Sequence, residues 1–388
     1  MEKFLARSIV DLKPSGIRKF FDIVSENPNA ISLGVGEPDF DTPWNMTTEG
    51  IRSLREGRTF YTANAGLLEL RQEISRYLTK RVGNRYNPQS EIIVTVGGSE
   101  AIDLAFRALL NPGDEVIIPQ PAFVSYEPCT VMAGGVPVTI DLQEENGFVL
   151  TPAQLEAAIT PKSKILLLSY PNNPTGATLS PKEAAAIAQV VVKHDLVVIS
   201  DEIYTELIYE GEHVSIASFP NMAERTILIN GFSKTFAMTG WRIGYLAAPA
   251  IFTEQMLKLH QYIIMTAPTV SQYAALEGLK GDWQGLVEPM RESYEQRRNY
   301  LHHALTQMGI PCYKAKGAFY LFPNISQFGL SSEEFALKLL EEEALACVPG
   351  SAFGEAGEGY LRLSYAYSLE ELKEAMTRLE RFIKKRTL

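Results

Sequence analysis

Cysteine is scarce in this sequence, and the three present, Cys129, Cys312 and Cys347, are odd in number and far apart. Neither a disulfide framework nor a zinc knuckle is expected from such a set. Histidine is also sparse, with five in 388 residues and no HExxH pattern. His302 and His303 are adjacent on a predicted helix, where neighbours do not share a face, so no metal centre is expected. No segment is long and apolar enough to span a bilayer. Positive charge is outnumbered, 36 Lys and Arg against 46 Asp and Glu, for a net charge of -10. That balance disfavours nucleic acid and anionic membrane as partners while leaving room for a local basic pocket. The first residues, Met1-Glu2-Lys3-Phe4-Leu5, lack the apolar core and cleavage site of a signal peptide. A reducing cytoplasm is the expected location. Internal repeats and low-complexity segments are absent too.

What is present is the pattern of a large α/β enzyme. The apolar share of 46% is ordinary for a globular protein, and the length suits two domains. Buried-strand runs at 92–96, 115–119, 164–169, 196–200 and 226–229 alternate with helical stretches, notably 67–82, 99–110 and 181–193. Such βαβ alternation predicts a mainly parallel sheet covered by helices, with functional groups where strands end. Asn173, Asp201 and Lys234 each fall near such an end. After Tyr245 the chain turns largely helical over 251–308, including an arginine-bearing stretch from Glu288 to Leu305. A strand at 317–323, a helix at 332–343, an alternating strand at 360–365 and an amphipathic helix complete it. Gly34-Val35-Gly36-Glu37-Pro38 begins like a dinucleotide fingerprint, but it has no third glycine and Pro38 blocks the helix that motif requires.

The chemistry concentrates at Gly231-Phe232-Ser233-Lys234-Thr235, followed by Gly240-Trp241-Arg242-Ile243-Gly244. A lysine confined just beyond a strand can lose its proton and condense with an aldehyde. The always-charged fork of Arg242 suits a phosphate. Gly97-Gly98-Ser99-Glu100 joins a strand to a helix start, where free backbone N–H groups receive an anion. Each feature alone has a plain structural reading. Lys234 is then a surface cation, Ser99 an N-cap, Asp201 a helix cap, Tyr61 a core aromatic and Arg362 a salt-bridge former. The ordered set Gly-Gly-Ser, Asn-Pro-Thr-Gly, Asp-Glu-Ile-Tyr and Ser-Lys-Thr is far more specific, and with Gly-Trp-Arg-Ile-Gly it resembles the class I/II aminotransferases, fold-type I enzymes that use pyridoxal 5′-phosphate.

That resemblance implies a role for each residue. Lys234 is the amine that carries the cofactor aldehyde and then serves as proton-transfer base and acid, with Asp201 and Tyr204 beside it in the catalytic set. Asp201 holds the ring nitrogen protonated, and Asn173 and Tyr204 bond the ring oxygen. Phe123 stacks on the ring. Gly98, Ser99, the backbone N–H of Glu100, Ser233 and Arg242 form the phosphate cup. Tyr61 reaches it from the other subunit of a homodimer. Arg362 forks onto the substrate α-carboxylate, with Gly36, Asn173 and Ile17 completing the substrate site.

The implied fold has a large domain at 41–285, with a mainly parallel seven-stranded sheet, and a smaller α+β domain from 1–40 together with 286–388. The implied reaction is transamination between an amino acid, aromatic or broadly chosen, and a 2-oxo acid, with glutamate and 2-oxoglutarate as exchange pair. The apolar or amphipathic side chains Ile17, Phe20, Phe123 and Tyr126 are the candidates for burying a ring; Arg18 and Lys19 are candidates for a second carboxylate. Aspartate-specific relatives usually carry tryptophan where Phe123 stands. Acylated diaminopimelate or aspartate remain alternative substrates, and a C–S β-lyase an alternative reaction. A regulator on the same scaffold would need an appended DNA-binding domain, whereas the resemblance here begins with the N-terminal arm.

Overall fold

The computed structural model describes residues 2–12, 14 and 29–386. Its centre is a seven-stranded sheet whose strands follow a short β1 (Ile31–Ser32). They are β2 (Ile92–Thr95), β3 (Glu115–Gln120), β4 (Val136–Asp141), β5 (Ser163–Ser169), β6 (Val197–Asp201), β7 (Thr226–Gly231) and β8 (Gly244–Ala247). The spatial order is β2-β8-β7-β6-β5-β3-β4. The four pairings from β4 to β7 are parallel, and β8 runs antiparallel to both of its neighbours.

The reason these runs make inner strands is visible in β5. Ile165 and Leu167 enter a core shared with helix Gly97–Leu109, whereas Leu166 and Leu168 enter one shared with helix Pro181–Lys193. Alternate side chains therefore bury on opposite faces, so an uninterrupted apolar run is what a doubly covered strand requires. Each fully buried Leu or Ile contributes about 1.5–3 kcal/mol. The edge strand β4 is mostly exposed or half-buried and carries Pro137, as an edge allows. Ser180 and Glu183 close a capping box that starts the 181–193 helix.

The C-terminal block forms two smaller sheets. One pairs β1 with β10 (Leu345–Ala346) in parallel. The other has the order β11 (Val348–Pro349), β12 (Leu361–Ser364), β9 (Tyr320–Leu321). A 25-residue helix, Trp283–Gln307, leads into this region and contains the 288–305 stretch.

Three expectations change. The 317–323 run forms only a two-residue strand, because Ala318 takes a left-handed backbone (φ 57) just before it. The alternating run at 360–365 is a strand only over 361–364, and all four residues of β12 are buried, polar Arg362 and Ser364 included. Ser99 is not the N-cap. The helix starts at Gly97, whose φ of 72 suits glycine, and the Val96 N–H is instead received by the Glu100 carboxylate at 2.5 Å.

Candidate active site

Because β8 is antiparallel to both β7 and β2, the C-terminal ends of β2, β3, β5, β6 and β7 share one edge of the sheet with the start of β8. The loops at that edge converge on a cavity of about 610 Å³. Gly98, Ser99, Phe123, Tyr126, Asn173, Asp201, Tyr204, Ser233, Lys234 and Arg242 line it from the large sheet, and Gly36 and Arg362 line it from the other side. A groove of about 700 Å³ shares Phe123 and Tyr126, but among the described residues its charged lining residues are Glu127 and Glu333.

Lys234 lies three residues beyond β7. Its Nζ donates to the Gly36 carbonyl at 2.5 Å. Protein surrounds it closely, and burial lowers its pKa to about 8, Arg362 and Arg242 adding to the fall while Glu37 and Asp201 oppose it. The amine is thus far easier to deprotonate than a surface lysine.

Asp201, the last residue of β6, is buried, and burial raises its pKa to about 6. Tyr126 Oη donates to its Oδ2 at 2.7 Å and the Ile203 N–H to its Oδ1 at 3.2 Å, both favouring the charged form. Tyr126 is therefore no free selectivity surface: it is 1% exposed and its hydroxyl serves Asp201.

At the carboxylate end, Arg362 donates from Nη1 to Asn173 Oδ1 at 3.0 Å and from Nη2 to the Gly34 carbonyl at 2.5 Å. Its Nε is buried with no partner among the described residues, an orphaned donor in a lined cavity. Since Asn173 Oδ1 accepts from Arg362, its amide N–H groups remain for a second acceptor. Burial pushes the Tyr204 hydroxyl well above the ordinary tyrosine range, so it stays a neutral donor.

The anion end is built by packing. A Cβ on Gly97 would meet Arg242 Nη2 at 2.8 Å, which puts the guanidinium directly against the helix start. A Cβ on Gly244 would lie 2.7 Å from Gly97 C and 2.8 Å from Gly98 N. Only bare backbone fits there, and the unpaired N–H groups of the first helical turn face the same space. Arg242 is itself exposed and is braced by its own Nη1 on the Thr239 carbonyl at 3.0 Å. The donor set thus fits pyridoxal phosphate: N–H groups and a guanidinium for the phosphate, a depressed amine for the aldehyde, a buried carboxylate for the ring nitrogen.

Some expected residues stand apart. The Glu100 carboxylate is engaged by Val96 N–H and by His260 Nδ1 at 2.7 Å, leaving only its backbone N–H for the cup. Tyr61 is 77% exposed and does not line the cavity of its own chain. Ile17, Arg18, Lys19 and Phe20 lie outside the described residues. Glu37 and Thr239, which stand in stretches that the sequence already marked, line the cavity, and so does Tyr320, which sequence reasoning passed over. Tyr320 sits in a short apolar run with no polar neighbour, which gave no signal of a site.

The family model for aminotransferase class I and II matches residues 28–379. The putative aminotransferase YugH of Bacillus subtilis is 52% identical over 387 residues, covering 100% of both chains. Aromatic-amino-acid aminotransferase 2 of Thermococcus litoralis is 47% identical, covering 97% of each. Further relatives are named for aspartate or N-acetyl-LL-diaminopimelate. The solved aromatic aminotransferase of Pyrococcus horikoshii superposes with a TM-score of 0.91 at 47% identity, over 96% of this chain and 99% of that one. A match of this length, on a fold that gathers a depressed lysine, a buried aspartate and an anion-binding helix start at one sheet edge, makes the chain a member of the class I and II aminotransferases, pyridoxal phosphate-dependent enzymes that exchange an amino group between an amino acid and a 2-oxo acid.

Proposed function

We propose that this chain is a cytoplasmic, homodimeric aminotransferase for aromatic and other bulky amino acids, with glutamate and 2-oxoglutarate as exchange pair. The single observation that carries the site assignment is Lys234, depressed to about 8 in a cavity it shares with Asp201 and Arg362. Pyridoxal phosphate supplies an aldehyde for the amino group and a ring that holds the electrons released at the substrate Cα. The protein supplies the rest. Gly98, Ser99, the Glu100 N–H, Ser233 and Arg242 bind the phosphate, joined by Tyr61 of the second subunit. The Asp201 carboxylate keeps a proton on the ring nitrogen, and Tyr126 holds that carboxylate in place. Asn173 and Tyr204 donate to the ring oxygen while Phe123 covers the ring. Arg362 presents its fork to the substrate α-carboxylate, with Gly36 and Ile17 beside it, and Lys234 Nζ takes the Cα proton.

The aromatic preference rests on the Phe123 surface and on relatives named for aromatic amino acids. A buried ring is worth about 1.5–3 kcal/mol, or one to two decades of affinity. The division into a large domain, 41–285, and a small one, 1–40 with 286–388, is supported by the pairing of β1 with β10, which ties the N-terminal arm to the C-terminal block.

Half-reactions decide the substrate. Phenylalanine or tyrosine at low millimolar concentration should convert the cofactor absorbance to that of its amine form. Conversion by N-acetyl-LL-diaminopimelate or aspartate alone would replace the aromatic reading. For the site itself, Lys234→Ala should keep cofactor noncovalently and lose turnover. Borohydride fixing the cofactor onto another lysine would refute the assignment.

A further inference from the structure

One side chain at the heart of the cavity has no role in the reading above. Tyr320, in β9, is 1% exposed. The strand register explains its position: Tyr320 pairs with Ser364 of β12, which puts it diagonal to Arg362 on one face of the small sheet. Its ring centroid is 4.5 Å from the Arg362 guanidinium carbon, and Phe353 is 4.9 Å from the same atom. Its Oη lies 2.9 Å from Tyr204 Oη. The hydroxyl also abuts the loop that receives Lys234, since a Cβ on Gly36 would sit 2.6 Å from it. Tyr320 therefore touches the ring-oxygen donor, the carboxylate fork and the lysine loop together.

We propose that Tyr320 is the positioning residue that couples the two ends of the site: its hydroxyl turns the Tyr204 proton into the cavity, and its ring holds the Arg362 guanidinium. Counting protons gives the first half. The two hydroxyls have one proton each, and Tyr204 can donate into the cavity only if the bond between them is donated by Tyr320. Among the described residues Tyr204 is the hydrogen-bond partner of Tyr320 Oη, so that proton has a defined destination. A hydroxyl that accepts one hydrogen bond is the stronger donor in the next. The second half is electrostatic. A guanidinium over an aromatic face in a desolvated site is attracted by its quadrupole, and the flat contact fixes the plane in which the fork meets a carboxylate.

The inference rests on the proposed site, and its test separates the two. Wild type, Tyr320→Phe, Tyr320→Leu, Tyr204→Phe and the Tyr204→Phe/Tyr320→Phe double variant are loaded with pyridoxal phosphate, and the pH midpoint of the cofactor band is titrated. Binding of 3-phenylpropanoate and succinate is measured in parallel. A weaker donor to the ring oxygen leaves more negative charge there, which favours the protonated form of the neighbouring nitrogen. Tyr320→Phe should therefore raise the midpoint by about threefold in proton affinity, and the double variant should go no further than Tyr204→Phe alone. Carboxylate affinity should survive in Tyr320→Phe, which keeps the ring, and fall about tenfold in Tyr320→Leu. An unmoved midpoint in Tyr320→Phe, additive shifts in the double variant, or equal carboxylate affinity in the Phe and Leu variants would overturn the proposal. A missing band in every protein, wild type included, would fail the site and the inference together.

Discussion

Lys234 and Asp201 are displaced in opposite senses by the same cause, burial beside the cavity. The lysine falls from 10.5 to about 8 and the aspartate rises from 3.8 to about 6. The signs of their pH effects follow from proton counts. Between about 8 and 10.5 the unfolded chain holds a proton on Lys234 that the folded chain does not, so ligand-free stability rises with pH through that window. Between 3.8 and about 6 the folded chain holds the extra proton, on Asp201, so stability falls as pH rises there. Urea midpoints of ligand-free wild type against Lys234→Met and Asp201→Asn should isolate each slope, the variant curve being flatter in its own window. Capture of pyridoxal phosphate needs the neutral amine. Its rate in wild type should climb to about pH 8 and then level, whereas an unperturbed lysine would keep climbing to about 10.5. Arg362→Lys should raise KM for the amino acid by about tenfold or more with the cofactor spectrum unchanged, because the planar fork is lost while the charge is kept.

At the scale of elements, the anion end depends on three backbones meeting without side chains. Gly244 opens β8 opposite Gly231 of β7 and Thr95 of β2. A methyl at Gly244 would overlap the Gly97–Gly98 peptide, which is backbone and cannot rotate away. Gly244→Ala should therefore push the helix start off its seat and cost about 1–3 kcal/mol of stability. Cofactor affinity should fall as well, which equilibrium dialysis would read, and an unchanged dissociation constant would argue against a cup at this place. The loop before the Leu68–Val82 helix shows the complementary case, in which polar side chains fix a segment without an apolar core. Thr62 Oγ1 lies 2.6 Å from Thr266 Oγ1, Asn64 donates to the Met265 carbonyl at 2.9 Å, and Thr269 donates to the Phe60 carbonyl at 2.8 Å.

For the whole molecule, those bonds hold a band of exposed apolar surface together. Phe60, Tyr61 and Tyr262 are 82%, 77% and 87% exposed, and Ile263, Ile264 and Met265 adjoin them. A contiguous patch of this kind marks an association surface. In the proposed homodimer it is the face that would meet a second copy and carry Tyr61 to that copy's phosphate site. If the proposed dimer uses this face, Tyr262→Asp should shift sedimentation from dimer to monomer and remove activity, because each site would then lack a tyrosine from its neighbour. A fully active monomer would refute shared sites. Tyr61→Phe should keep the dimer and weaken cofactor binding by about 0.5–1.5 kcal/mol, the usual worth of one hydrogen bond.

The sequence by itself determined the fold class and most of the cavity lining. Apolar runs ending in Asp201 or leading to Lys234 read as strands because a doubly covered sheet buries both faces, and glycine and proline punctuated the loops. Residue type carried the chemistry at Lys234, Asp201, Asn173 and Arg362, each a polar group in an otherwise apolar or turn-forming context. The tertiary structure alone decided what distance in sequence conceals. Tyr126 met Asp201 across 75 residues and Tyr320 met Tyr204 across 116, though along the chain Tyr126 read as a surface for burying a ring and Tyr320 as a plain strand aromatic. Ser99 lost its role as a cap because Gly97 could take the left-handed turn two residues earlier. The depressed lysine and raised aspartate belong to neither residue's local sequence. They arise because packing removes water from both at once, and only a folded chain does that.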